Sequence, residues 1–128
     1  MCLNRKLIVI KKIGDNYGEL LECLDTPFSD PNEQLTFFAG KTGAIYLTCG
    51  GAQHIIIDKK RLPNPPNRTD WHEMQKCIGY TLTDQDWSGA NPPNTGYVRM
   101  NRVRRKEVWS YVIVSPENTI VTAWSGKD

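Results

Sequence analysis

The last third of the chain holds three short runs that are rich in β-branched and aromatic residues. They are residues 97–103, 107–114 and 119–124. The first two are joined by residues 104–106, and the last two by a tight turn that has Pro116 at its second position. Consecutive strands with such short connections pair as an antiparallel meander. The resulting sheet must bury one of its faces against the rest of the chain.

A helix is predicted in the middle of the chain. Asp70 is a suitable N-cap, Glu73 completes a capping box, and apolar residues follow at helical spacing until Gly79. Earlier, residues 6–13, 35–39 and 44–49 predict short strands, and residues 17–24 fit either a strand or a short helix. Residues 25–34 and 84–95 have the composition of loops. We therefore expect an α+β protein whose C-terminal antiparallel meander packs against one or two helices.

Length and composition are those of an ordinary globular domain. The chain has 128 residues, 39% of them hydrophobic and 23% charged, so we expect a single domain, 1–128. No apolar run exceeds four residues, which predicts no membrane span and no secretory leader. We expect a cytoplasmic protein.

The four cysteines are not spaced as metal ligands. Cys2, Cys23, Cys49 and Cys77 form no C-x-x-C pair, and His54 and His72 lack the spacing of zinc ligands. In a cytoplasmic chain, thiols stay reduced. The sequence therefore predicts no metal, no cofactor and no disulfide.

Charge is distributed unevenly along the chain, although the net charge is only +2. Residues 15–33 contain six acids and no Lys or Arg, while residues 99–106 contain five bases. These bases are Arg99, Arg102, Arg104, Arg105 and Lys106. Such a cluster is either a phosphate-binding surface or a solvated hairpin turn that faces the acidic patch.

Strand alternation predicts an open sheet face that carries functional side chains. Ile120, Thr122 and Trp124 should share one face, and Ala123 should share the other face with Val121. If the side with Ala123 packs on the helices, the side with Thr122 and Trp124 is open. We also expect Trp109 and Tyr111 to belong to the core rather than to a stacking platform. For Trp87 we leave open whether it covers a binding site as a lid or packs onto the hydrophobic core.

Three segments resemble a known family. They are GGAQHI at residues 50–55, the Trp-containing helix at residues 71–78 and IVTAW at residues 120–124. The chain in these segments resembles the barnase–EndoU–colicin–RelE superfamily of small ribonucleases, particularly the members carried by phages and toxin systems. The resemblance covers about residues 44–125. It implies a ribonuclease-like core at residues 44–128, preceded by an N-terminal extension of strands and loop at residues 1–43.

The resemblance implies metal-independent RNA cleavage through the ribose 2′-OH. In that reaction His54 would be the base or acid, and Arg61, Arg99 or Arg102 would stabilise the extra phosphorane charge. Thr122 and Ser125 would position the phosphate. Arg104, Arg105, Lys106 and Trp124 would hold the RNA. The pairing of His54 with Arg61 requires a helix, because seven residues of strand would place these two side chains on opposite faces.

Two alternatives remain open on the sequence. The chain could be a non-catalytic phage or mobile-element protein that binds nucleic acid, a host defence protein or a cognate inhibitor through its basic hairpin. It could also be a structural module with an exposed apolar patch. The ribonuclease hypothesis alone requires His54, an arginine and Thr122 to meet on one surface.

Overall fold

The C-terminal part of the chain forms a four-stranded antiparallel sheet. The computed structural model describes residues 15–40, 43–103 and 105–126. The strands of this sheet are β3 (Trp87–Asn91), β4 (Asn94–Val103), β5 (Lys106–Val114) and β6 (Ile120–Gly126). Their order in the sheet is their order along the chain, so the predicted meander is confirmed.

Strand β3 lies in a segment that we predicted to be a loop. It pairs with β4 through a turn at Pro92 and Pro93, with Trp87 opposite Val98. The ring of Trp87 lies against Gly89 of the same strand, where any side chain would collide with it. The Gly- and Pro-rich composition indicates a loop, but pairing with β4 and the cover provided by Trp87 stabilise a strand.

The helices precede this sheet in the chain. They are α1 (Tyr17–Leu24), a 3₁₀ helix (Thr26–Phe28), α2 (Cys49–Gln53), a π-helix (His54–Asp58) and α3 (Arg68–Thr83). Helix α3 begins earlier than predicted, because its N-cap is Asn67, whose side chain accepts a hydrogen bond of 2.7 Å from the amide of Asp70. The predicted capping box at Asp70 is therefore wrong. The helix also continues through Gly79, so the predicted end at this residue is wrong.

A separate two-stranded hairpin consists of β1 (Gln34–Gly40) and β2 (Gly43–Thr48), as predicted. The amide of Tyr46 donates to the carbonyl of Asn118, which ties this hairpin to the turn before β6. The boundary that we placed between residues 43 and 44 falls inside the hairpin. Leu20 and Phe38, from the predicted extension, are buried in the same core as Ile78. The strand predicted at residues 6–13 lies outside the described residues.

Helix α3 packs against one face of the four-stranded sheet, which we call the inner face. Thr81 and Ser110 share a hydrogen bond of 2.7 Å across this junction. The largest fully buried apolar side chains include Trp71, Leu47, Ile55, Ile56, Ile78, Leu82 and Ile120. The opposite side of the sheet is the outer face. This arrangement confirms the predicted α+β fold, with its meander packed on a helix.

The three cysteines within the described residues are oxidised, which makes the prediction of reduced thiols wrong for them. Cys23 in α1 and Cys49 in α2 form a disulfide, with Cα atoms 5.5 Å apart. Cys77 is also disulfide-bonded. Spacing along the chain cannot indicate this pairing, because the distance between the two Cα atoms depends on how α1 packs against α2.

No helix within residues 15–40, 43–103 and 105–126 has the length and apolar character needed to cross a membrane.

Candidate functional site

A β-bulge in β6 determines which of its side chains reach the outer face. Ile113 pairs with Thr122, but Val114 pairs with Ile120, so Val121 is the extra residue. Ile120 is consequently buried in the core, as Ala123 is. Thr122 and Trp124 alternate with Ala123 and therefore lie on the outer face. The prediction that Ile120 shares a face with them is wrong, because simple alternation does not hold across a bulge.

Four aromatic side chains lie on the outer face: Trp87, Trp109, Tyr111 and Trp124. Tyr111 and Trp124 are cross-strand partners, and their rings stack with centroids 4.6 Å apart and planes inclined by 11°. Trp87 is 56% exposed, and the other three rings are half-buried. The prediction that Trp109 and Tyr111 belong to the buried core is therefore wrong, although their alternation along β5 was visible in the sequence.

Arg61 extends this aromatic surface beyond the edge of the sheet. Its guanidinium lies over the Trp124 ring, 5.3 Å from the centroid. We call the three residues the Arg61–Trp124–Tyr111 stack. Two backbone hydrogen bonds position the loop that carries Arg61: the Lys59 amide donates to His54, and the Arg61 amide donates to Ile55. Between them, Lys60 has a left-handed φ of 54°.

His54 is the first residue of the π-helix that packs beside β6. Its side chain is 36% exposed, and its Nδ1 lies 3.3 Å from Oδ2 of Asp58. A carboxylate at Nδ1 favours a proton on that nitrogen and leaves Nε2 as the proton acceptor. The buried Ile55 and Ile56 hold this segment in helical form despite their β-branched side chains. This helix ends at Asp58, and Lys60 has a left-handed φ of 54°, so Arg61 lies beyond the helix. The prediction that His54 and Arg61 lie two turns apart on one helix face is therefore wrong.

Thr122 has an unusual environment on the outer face. Its Oγ1 is buried and makes no hydrogen bond within the described part of the chain. An unsatisfied buried hydroxyl costs about 1–3 kcal/mol. Such groups are rare in folded proteins and are candidates for a role in binding or catalysis.

Arg99 does not lie on the outer face, and the prediction that it reaches an open site is wrong. Its side chain is 0% exposed, with Nε 3.7 Å from Oδ2 of Asp84. Its guanidinium also lies 5.1 Å from the centroid of the Tyr80 ring. Both partners come from the C-terminal end of α3 and the residue after it, so Arg99 joins the helix to the sheet.

Ser125 also lies on the inner face. Arg99 pairs with Ser110, and Ser110 pairs with Ser125, so the three form one row across neighbouring strands. The predicted site residues are thus divided: Arg99 and Ser125 lie on the inner face, whereas Thr122 and Trp124 lie on the outer face. Of the three arginines proposed to meet His54 and Thr122 on one surface, Arg99 is therefore excluded.

The predicted basic hairpin is described only in part. Arg102 is exposed at the end of β4, with its guanidinium 4.0 Å from Glu107, and Arg105 is exposed at the turn with a φ of 67°. Arg104 lies outside the described residues, as does the side chain of Lys106. Within the described ranges, the His54 ring makes a polar contact with Asp58 and makes none with Thr122 or an arginine.

The other histidine, His72, lines a cleft of about 770 Å³ at the N-terminal end of α3. The side chain of Asn16 ties the walls of this cleft together, because it accepts a hydrogen bond from Trp71 Nε1 and donates to Gln75 and to the carbonyl of Leu35. Among the described residues, no group of three or more His, Cys, Asp or Glu side chains is placed to hold a metal ion.

Comparisons with protein-family models, curated proteins and solved structures return no match for this chain. The resemblance to the ribonuclease superfamily therefore stays a prediction that rests on three short segments.

Proposed function

We propose that this protein binds single-stranded RNA on the outer face of its four-stranded sheet. The observation that carries the proposal is the Arg61–Trp124–Tyr111 stack, which continues across the sheet to the exposed ring of Trp87. Aromatic side chains on an open sheet stack with unpaired bases, and each such contact contributes about 1–3 kcal/mol. Arg61 can donate hydrogen bonds to phosphate from the same location.

Exposed cations next to these rings support an anionic ligand. Lys60 and Arg61 are exposed at the β6 edge, and Arg102 is exposed at the end of β4. Glu107 neutralises Arg102 in part, since their charged atoms are 4.0 Å apart. Arg61 has no such carboxylate partner among its described contacts, which favours it as the main phosphate ligand.

Binding can be tested with RNA that cannot be cleaved. A fluorescent 2′-O-methyl oligouridylate should bind with an affinity that falls as salt rises, with a slope of log affinity against log salt of about −0.7 for each phosphate that is neutralised. A duplex of the same length should bind more weakly, because its bases are not free to stack. Equal affinity for both, or no affinity for either, would contradict the proposal.

We further propose that the protein cleaves the RNA that it binds, because a carboxylate accompanies the imidazole of His54. Nε2 of His54 would take the proton from a ribose 2′-OH, and the 2′-oxygen would attack the adjacent phosphorus. The bond from phosphorus to the 5′-oxygen breaks, and that oxygen leaves with a proton from an acid or from water. The products are a 2′,3′-cyclic phosphate and a 5′-hydroxyl. No metal ion takes part in these steps.

One further group fits this reaction: Arg61 would stabilise the extra negative charge that develops on the phosphorane. The hydroxyl of Thr122 is buried, so a phosphate could accept a hydrogen bond from it only after the side chains around it had moved. Arg99 and Ser125 have no direct part, because both lie on the inner face.

Cleavage can be tested by incubating labelled RNA with the protein in EDTA and identifying the product ends. His54→Ala should slow cleavage by about 10²–10⁴-fold, while the matched variant His72→Ala should retain the full rate. Cyclic phosphate ends are expected. If RNA is bound but never cut, or if cutting requires added metal, the cleavage proposal is wrong and RNA binding alone remains.

The cytoplasmic location expected from the sequence stays a prediction, and the Cys23–Cys49 disulfide is an argument against it. Disulfides persist in oxidising compartments and are rare in the cytosol. Alkylation of free thiols before cell lysis, followed by mass measurement, distinguishes the two locations. Unmodified cysteines would indicate an oxidising compartment, and alkylated cysteines would indicate the cytosol.

A further inference from the structure

We propose that a groove beside Arg61 holds one nucleotide of the bound RNA, next to the base that stacks on the outer face. The groove lies between the π-helix and the turn around Pro63, and its volume is about 580 Å³. Small-molecule sites have volumes of roughly 300–1,000 Å³, so one nucleotide fits. This inference rests on the proposed binding of RNA.

The walls of the groove suit the flat apolar faces of a base. Ile56, Ile57, Leu62 and Pro63 line it. Ile56 and Leu62 are only 1% and 8% exposed, so they form a floor that is anchored in the core. Ile57 is half-buried and Pro63 is exposed, so they form the accessible sides. Asn64 lines the groove as well and offers an amide to the edge of a base.

The charged residues of the groove suit a phosphate. Lys60 and Arg61 both line it, and no carboxylate is among its described lining residues. The nearby Asp58 is instead placed 3.3 Å from the ring of His54. Two cations beside apolar walls, with no acid among them, fit a ligand that joins a base to a phosphate.

Arg61 connects the groove to the outer face. The same side chain lines the groove and lies over the Trp124 ring. A phosphate bound to this guanidinium would therefore lie between two bases, one near Trp124 and one in the groove. The left-handed backbone at Lys60 turns the chain at this point, and the hydrogen bond from the Arg61 amide to Ile55 fixes the turn.

The test compares two adjacent lysines. Lys60→Asn removes a groove charge, and Asn tolerates the left-handed backbone at this position. Lys59→Asn removes the same charge from an exposed residue that does not line the groove. Each variant is titrated with a fluorescent 2′-O-methyl octauridylate. We expect Lys60→Asn to lower the affinity about fivefold to tenfold and to flatten the salt slope by about 0.7, while Lys59→Asn stays within about twofold of the wild type.

A second variant tests the apolar walls. Ile57→Trp fills the groove and excludes the base. The affinity for the octauridylate should therefore fall about tenfold, which is the usual effect of losing one base contact. Thermal unfolding shows whether this variant is folded. If it is not, the affinity of Lys60→Asn alone tests whether the groove holds a nucleotide. If the groove variants bind with wild-type affinity, or if Lys59→Asn and Lys60→Asn lose the same affinity, the groove does not hold a nucleotide, although the protein still binds RNA. No binding by the wild-type protein would overturn both.

Discussion

The guanidinium of Arg61 lies over the ring of Trp124, 5.3 Å from its centroid. This contact joins the loop after the π-helix to the last strand of the sheet. It places a cation at the edge of an aromatic surface that includes Tyr111 and Trp87. RNA binding requires this combination of charge and stacking, and the following predictions test it together with the fold that supports it.

Replacing Arg61 by methionine should weaken RNA binding while the fold remains. Methionine keeps the apolar stem over Trp124 but removes the charge, so affinity should fall by about fivefold or more and the salt slope should become shallower. The folded protein should lose about 0.5–1 kcal/mol at most, the usual contribution of an exposed cation–π contact. Fluorescence anisotropy and urea unfolding measure the two effects. Unchanged affinity would show that Arg61 is not a phosphate ligand.

Removal of the Cys23–Cys49 disulfide should destabilise the protein. The two residues are 26 positions apart, and closing a loop of this length restricts the unfolded chain by about 3 kcal/mol. The double variant Cys23→Ser, Cys49→Ser should therefore unfold at a lower urea concentration than the oxidised wild type. An unchanged midpoint would indicate that the two thiols are not bonded in solution.

Substitution of Arg99 should destabilise the protein far more than substitution of Arg102. Arg99 is fully buried beside Asp84, and Arg99→Ala leaves that carboxylate without its cation, which should cost about 3–5 kcal/mol of stability. Arg102→Ala should change stability by about 0.5 kcal/mol at most, because its pair with Glu107 is exposed. If the Arg99 variant were as stable as the Arg102 variant, the buried position of Arg99 would be wrong.

The N-terminus of α3 provides a test at a single residue. Asn67→Ala should lower the stability by about 1 kcal/mol, because the side chain of Asn67 accepts the hydrogen bond from the amide of Asp70. Asp70→Ala should have a smaller effect, since Asp70 lies within the first turn and contributes only its charge. If Asp70→Ala lost more stability than Asn67→Ala, the N-cap would be Asp70, as the capping box in the sequence predicts.

The parts of the fold that were predicted correctly depend on local composition. The runs around Val98, Val112 and Ala123 are rich in β-branched and aromatic residues, which favour strands, and short turns determine their pairing. Strand β3 was missed because Gly89 and Pro92 indicate a loop, and only the partner strand β4 provides the hydrogen bonds that make it a strand.

The candidate site was predicted less well, because its composition depends on which side of the sheet each residue occupies. The bulge at Val121 buries Ile120, and no composition signal marks it. Alternation along β4 puts Arg99 and Arg102 on opposite faces of the sheet, but only the packing of α3 shows that the face with Arg99 is buried. The position of Arg61 over Trp124 depends on a loop whose direction is set by long-range packing.

The most direct test of RNA binding on the outer face is the affinity of Trp124→Ala for the 2′-O-methyl octauridylate. The matched control is Phe28→Ala, which removes an aromatic ring that is 86% exposed and lies outside the sheet. Trp124→Ala removes the ring against which both Arg61 and Tyr111 pack. The loss of this central ring should weaken binding by about 1–3 kcal/mol, which is roughly fivefold to more than a hundredfold, while the control retains wild-type affinity. Wild-type affinity in Trp124→Ala, with the protein shown to be folded, would contradict RNA binding on this face.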